Sequence, residues 1–110
     1  MAYDEHLAQR IRSLVDDEPD LDEKRMFGGL AFLIGGHMAV AASGTGGLLL
    51  RVPPDETEKL LAEPHAERFV MRGRGMDGWL RVDTAGVASD ESLRRWVSIG
   101  VRYVRTLPPK

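Results

Sequence analysis

The sequence contains no cysteine in its 110 residues. Disulfide bonds, thiol catalysis and cysteine-ligated zinc or iron–sulfur sites are therefore excluded. It also lacks a run of about 18 uncharged apolar residues, the length of a membrane-spanning helix, because glycines and His37 interrupt its longest apolar segment, residues 26–50. Residues 1–10 are polar and mixed in charge, unlike the apolar core of a signal peptide. We expect a soluble, cytoplasmic protein.

The net charge of −2 conceals an uneven distribution of charge along the chain. Residues 1–23 hold eight acidic side chains and two arginines, whereas residues 24–110 hold thirteen basic and nine acidic side chains. A mildly basic body suits nucleic acid or an acidic protein partner, although a solvated surface of mixed charge explains the same counts. The length fits a single domain over residues 1–110.

Three segments have the pattern of amphipathic helices. Residues 4–18 place Leu7, Ile11 and Val15 on one stripe, with Asp4 as the cap. Pro19 ends this helix, and we expect the acidic run 16–23 to be a solvated linker. The other two helices are predicted within residues 52–63 and from Ser89 or Asp90 to Leu107.

Five short apolar segments have the pattern of strands. Along one of them, Leu48 and Leu50 are expected to face one side of the sheet, and Leu49 and Arg51 the other. The resulting order α-β-β-β-α-β-β-α predicts an α+β domain, a two-layer structure with an antiparallel sheet covered by helices on one face. The predicted strands are residues 24–34, 37–43, 47–52, 67–71 and 78–83.

Residues 25–47 contain seven of the twelve glycines. A phosphate-binding loop needs a following Gly-Lys-Ser/Thr and a helix, but Gly46-Gly47 leads into the strand-like LLLRV. The glycines at 35–36 and 44–47 are therefore predicted to form hairpin turns. Gly28-Gly29 is different because it is predicted to lie inside a strand. It marks either a bulge or a flat backbone patch that a partner approaches.

Residues 71–81, MRGRGMDGWLR, are the best candidate for binding nucleic acid. Arg72, Arg74 and Arg81 are interleaved with glycines and Trp79, and arginine with an aromatic ring can hold a phosphate and stack on a base. A solvated hairpin tip explains the same residues. Lys24 and Arg25 could extend this basic surface.

No convergent set of catalytic residues is evident. The three histidines fall in different predicted elements and lack the spacing of metal ligands. Ser43 lacks the G-x-S-x-G motif, and Ser89 is better explained as a helix cap. We expect no metal, no cofactor and no enzymatic activity.

The segment KRMFGGLAFLIGGHMAVAASGTGGLLLRV, residues 24–52, resembles the TfoX N-terminal domain family. The resemblance continues through MDGWLRVD and the last helix, and so covers nearly the whole chain. It implies an α+β fold similar to that of secretion chaperones. It also implies an association with the regulation of DNA-uptake competence genes, and no established catalytic residues.

The leading hypothesis is a non-enzymatic regulatory or protein-interaction module with a protein partner. The alternative is a nucleic-acid-associated factor that uses the hairpin at residues 72–81. We also expect a homodimer, since a small sheet leaves an edge or an apolar face open. The candidate interaction surface consists of Met26, Phe27, Gly28, Gly29, Arg72, Arg74 and Trp79.

Overall fold

The structure is a computed structural model that describes residues 3–26, 28–71 and 73–109. Its described residues form three α-helices, six strands and two short 3-10 turns, Pro54–Glu56 and Thr84–Val87. In chain order the helices and strands are α1 Glu5–Val15, β1 Leu21–Met26, β2 Gly29–Ile34, β3 His37–Ala42, β4 Leu48–Arg51, α2 Thr57–Leu61, β5 Ala66–Met71, β6 Arg74–Val82 and α3 Asp90–Arg105.

All six strands form one antiparallel sheet in the order β1-β2-β3-β4-β6-β5. Consecutive strands from β1 to β4 are neighbours, as expected for strands joined by glycine turns. Gly35 and Gly36 turn the chain between β2 and β3, and Gly46 and Gly47 turn it before β4, all with positive φ angles. The predicted α+β class and its antiparallel sheet are confirmed.

The prediction of one strand over residues 24–34 is wrong, because the chain reverses there. Met26 at the end of β1 pairs with Gly29 at the start of β2, and Gly28 has a φ of +76°. A two-residue hairpin loop needs such positive φ angles, which glycine adopts without steric cost. Gly28-Gly29 therefore lies at a hairpin turn, and the acidic run 16–23, expected to be a linker, supplies the first residues of β1.

The second correction concerns the hairpin between β5 and β6. The sequence predicts that the second of these strands begins at residue 78, after a turn-rich segment, but β6 begins at Arg74. Gly73 turns the chain with a φ of +77°, and Gly78 has a φ of +87° within β6. The register shifts between Arg68 and Val70, so the extra residues of β6 bulge out of the ladder.

Helices α1 and α3 begin where the sequence predicts. Asp4 accepts a hydrogen bond from the Leu7 amide at 3.1 Å, and Ser89 accepts one from the Ser92 amide at 3.1 Å. Both caps satisfy amides that the first helical turn leaves unpaired. The longest described helix, α3, has 16 residues, and none of the described helices is long and apolar enough to cross a membrane.

The main core lies between the sheet and the helices α1 and α3. Every second residue of the strands points into it, because side chains alternate along a strand. The large, fully buried members on this side of the sheet and on the helices are Ile11, Val15, Phe32, Val40, Leu48, Leu50, Leu80, Val82, Leu93 and Val104. This arrangement leaves the other side of the sheet, here called the open face, without α1 and α3.

Candidate functional site

A second apolar cluster lies on the open face. Ala31 pairs with Ala41, and Ala41 pairs with Leu49, so the three side chains are neighbours across β2, β3 and β4. Leu49 alternates with Leu48 and Leu50 of the main core, as predicted. The cluster consists of the buried Ala31, Met38, Ala41 and Leu49 and the partly buried Met26, Leu33, Phe69 and Trp79.

A groove with a volume of about 360 Å³ lies on the open face, beside the loop between β3 and β4. Ala41 and Leu49 form its floor. Met26 lines one side, and Phe69 and Val70 of β5 line the other. Because β1 and β5 are the two ends of the sheet order, the sheet must curl strongly to bring them to one groove.

Val70 makes the β5 side of the groove unusually apolar for a surface. The residue is 58% exposed, and it is the one large hydrophobic residue that is exposed among those the structure describes. Single exposed apolar side chains need no explanation, but Val70 adjoins the apolar floor and the Phe69 wall. The floor, the Phe69 wall and Val70 therefore adjoin one another as apolar surface within the groove, and exposed apolar surface that is contiguous can mark an interaction site.

The polar rim of the groove is organised by Arg81. Its guanidinium donates hydrogen bonds to Glu67 Oε1 at 3.0 Å, to Thr45 Oγ1 at 2.9 Å and to the Gly46 carbonyl at 2.8 Å. These bonds join β5 and β6 to the loop between β3 and β4. The Arg81 guanidinium therefore has partners inside the chain, and these hydrogen bonds hold it in place at the rim.

Trp79 is packed among neighbours on the open face. The Phe69 and Trp79 ring centroids are 6.4 Å apart, with the rings tilted by 50°, within the range of favourable aromatic pairs. Arg51 Cζ lies 5.3 Å from the Trp79 ring centroid and 5.7 Å from that of Tyr103. Cation–π attraction thus holds Arg51 over Trp79, which leaves less of the ring for stacking on a base.

The end of β3 and the residues that follow it pack closely against the glycine pair at the β1–β2 turn. A Cβ on Gly29 would overlap the Ala42 carbonyl oxygen, and a Cβ on Gly44 would lie 2.7 Å from the Gly28 carbonyl oxygen. The expected strand bulge is therefore wrong for this pair, whereas the backbone patch for a partner stays a prediction. The glycines of the pair allow β3 and the following loop to close against the hairpin, beside the groove.

Two carboxylates have pKa values below their usual range, and both belong to structural contacts. Glu23 accepts hydrogen bonds from the Arg12 guanidinium, the shorter at 2.6 Å, which lowers its pKa. A backbone hydrogen bond from Gly86 at 2.9 Å, followed by one from the His65 ring, lowers the pKa of Asp83. Within the described ranges no three His, Asp or Glu side chains are grouped to hold a metal ion.

The structure brings together part of the candidate interaction surface. Met26 and Gly29 line the groove, and Trp79 belongs to the apolar cluster around it. Gly28 lies at the hairpin turn, and Arg74 is exposed at the start of β6. Phe27 and Arg72 lie outside the described residues.

The sequence reasoning missed the floor and the β5 wall of the groove. These positions are apolar and are typical of ordinary strand residues, so nothing in their chemistry indicates a binding site. They are Ala41, Leu49, Phe69 and Val70. The alternation that places Leu49 on the open face was the one available sign. It could not show that this face forms a groove.

Similarity to known proteins agrees with the fold. No curated protein and no solved structure matches the chain. The sequence model of the TfoX N-terminal domain matches residues 13–103, from the last turn of α1 to the last turn of α3. This match includes every strand of the sheet and the whole groove, so the chain belongs to the TfoX N-terminal domain family.

Proposed function

We propose that this protein is a non-enzymatic regulatory module that binds a protein partner through the groove of the open face. The observation that carries the proposal is the groove whose buried floor is Ala41 and Leu49 and whose β5 side, Phe69 and the exposed Val70, offers apolar surface to a partner. Covering an apolar surface of this kind with a partner is favourable by roughly 25 cal/mol for each Å² removed from water. The regulatory part, a role in the regulation of competence genes, rests on the family, and the cytoplasmic location rests on the polar residues 1–10 and the lack of a long apolar run.

The chemistry of the groove supports binding over catalysis. Its polar side chains, Arg81, Glu67 and Thr45, hydrogen-bond to one another. The lowered carboxylate pKa values belong to Glu23 and Asp83, which do not line the groove.

The test places a photo-crosslinking amino acid at Val70, beside the groove, and at Glu91, an exposed position in the first turn of α3. We expect one protein to be captured through position 70 and not through position 91. That protein, purified, should bind the wild-type chain. Equal capture at both positions, or no complex between the purified proteins, would contradict the proposal.

The proposal that the protein is not an enzyme has a separate test, which is whether the purified chain turns over any substrate. A reaction catalysed by the purified chain and abolished by a single substitution, for instance Arg81→Ala, would contradict it. We expect no reaction that depends on a residue of the groove.

A further inference from the structure

We infer that the segment that fills the groove is acidic and carries a large apolar side chain. The inference rests on the proposed function, since it names the class of partner for the same groove. Two features support it: the apolar interior of the groove and the sign of the free charge around its rim.

The apolar anchor follows from the shape and lining of the groove. Its floor is small and apolar, with Ala41 and Leu49 each 4% exposed, and its walls are Met26 and Phe69. A volume of about 360 Å³ accommodates a large side chain. Interface hot spots commonly consist of one such anchor in an apolar pocket surrounded by polar contacts.

The acidic character follows from which charges are already paired. Glu67 is bound by Arg81, and Asp77 and Glu58 are bound by Arg68. Two arginines thus pair with three carboxylates on the β5 side of the groove. These ion pairs leave one net negative charge there.

In contrast to these carboxylates, three basic side chains near the groove have no ion pair with any residue that the structure describes. Lys24 and Arg25 immediately precede Met26, and Arg74 is next to Gly75, which pairs with Val70. All three are exposed. Asp22, on the same side of β1 as Lys24, is also exposed, and it accepts a hydrogen bond from the Glu23 amide. The three basic side chains outnumber Asp22 and the one excess carboxylate at Arg68, so the net charge around the groove is positive, which favours an acidic partner.

A second copy of the chain is a poorer occupant. A symmetric dimer presents the same patch from both subunits, so it would gather two copies of the basic rim, here defined as Lys24, Arg25 and Arg74, around one interface. Like charges brought together across an interface oppose association.

Nucleic acid is also a poorer occupant, although it is acidic. Single-strand binding sites present aromatic faces on which bases stack. On the open face, Arg51 and Phe69 already contact Trp79, and the groove floor consists of aliphatic side chains.

The test selects peptides from a displayed library of random twelve-residue sequences on the wild-type protein and on two variants. In one variant, Ala41→Leu, the larger side chain fills the groove floor. In the other, Lys24→Glu, Arg25→Glu and Arg74→Glu are combined. The matched control is Lys59→Glu, Arg94→Glu and Arg102→Glu, which reverses three exposed charges on α2 and α3.

We expect wild-type selection to enrich peptides with several Asp or Glu residues and one large apolar residue. The rim reversal should weaken binding of a selected peptide at least tenfold, or about 1.4 kcal/mol, and the control should change it less than twofold. Ala41→Leu should also abolish selection. If that variant unfolds, the exposed rim variant and the salt dependence of binding still decide the question.

Three results would overturn the inference. Peptides that compete with the crosslinked partner but show no acidic enrichment would refute the partner class and leave the proposed function standing. Saturable binding of a single-stranded oligonucleotide that competes with the peptides would assign the groove to nucleic acid. Concentration-dependent dimerisation that Ala41→Leu abolishes and the rim reversal leaves intact would assign it to a second copy.

Discussion

The carbonyl oxygen of Gly28 faces Gly44 so closely that a Cβ on Gly44 would lie 2.7 Å from it. The contact joins the β1–β2 turn to the loop after β3, and Gly44 also lines the groove. The glycine-rich segment thus shapes the groove by close backbone packing.

Gly44→Ala should therefore destabilise the fold. The added methyl group would displace backbone, and overpacking of this kind costs about 1–3 kcal/mol. Urea unfolding measures the change. As a control, Gly73→Ala meets no atom within 4 Å and should show only the strain of its positive φ, about 1 kcal/mol. An unchanged midpoint for Gly44→Ala would contradict the close packing.

Gly100→Ala should also destabilise the protein, although alanine is the better helix former. In an isolated helix the substitution gains about 1 kcal/mol. In α3 the new Cβ would lie 2.6 Å from the Ala39 carbonyl oxygen and 3.1 Å from a methyl group of Val40. We expect a net loss of about 1–2 kcal/mol, whereas Ser98→Ala on the same helix should leave stability equal or slightly higher. A more stable Gly100→Ala protein would show that α3 does not pack this closely on β3.

Thr57→Val tests the bulge that shapes β6. The Thr57 hydroxyl, in a residue that is 1% exposed, accepts a hydrogen bond from the Gly78 amide at 2.9 Å and donates one to the Pro54 carbonyl at 2.9 Å. Valine has nearly the same shape but leaves that amide unpaired, a cost of about 1–3 kcal/mol. Thr84→Val, at an exposed position, is the control. Equal unfolding free energies for the two variants would contradict the assigned hydrogen bonds.

Acid should weaken the contact between α1 and β1. The Arg12 guanidinium lowers the pKa of Glu23 below its ordinary value of 4.5, so the folded state binds the proton less readily than the unfolded state. The resulting stability is present above pH 4.5 and is lost as the pH falls through the lowered pKa. Glu23→Gln should cost at most about 1 kcal/mol at pH 7, as for other solvent-exposed pairs.

The measurement compares unfolding free energies of wild type and Glu23→Gln between pH 7 and pH 2. The difference should shrink towards the acid end. Asp17→Asn, at an exposed position after α1, supplies the control and should show little difference at any pH. A Glu23→Gln difference that grows as the pH falls would contradict the assigned pair.

The sequence was sufficient for the helices α1 and α3 and for the turns of the central strands. Asp4 and Ser89 cap the helices as predicted, because capping depends on a side chain and an amide three residues apart. Gly35 and Gly36 turn the chain between β2 and β3 for an equally local reason. These features need no knowledge of the rest of the fold.

Strand β1 could not be recognised in the same way. It is an edge strand whose central residues, 22–25, are charged and exposed on both faces, so it lacks the alternation that indicates a strand. Charged side chains are a common protection of sheet edges. The backbone hydrogen bonds to β2 make this segment a strand, and they depend on the turn at Gly28.

The groove depends on contacts that are distant in sequence. Met26 and Phe69 belong to strands at opposite ends of the sheet order, and only the curvature of the complete sheet brings them together. The sequence predicted Met26, Gly29 and Trp79 as part of a surface. It gave no sign of Ala41, Phe69 or Val70, because their role arises from the shape of the sheet.

The most direct test of the central proposal is a map of amide chemical shifts in the ¹⁵N-labelled protein, titrated with the purified partner that crosslinks through position 70. The proposal predicts that the large changes fall on the groove, at residues such as Gly29, Ala41, Leu49 and Val70. It also predicts that the exposed side of α1 and α3 stays unchanged. Large changes confined to α1 and α3, with the groove amides unmoved, would contradict it.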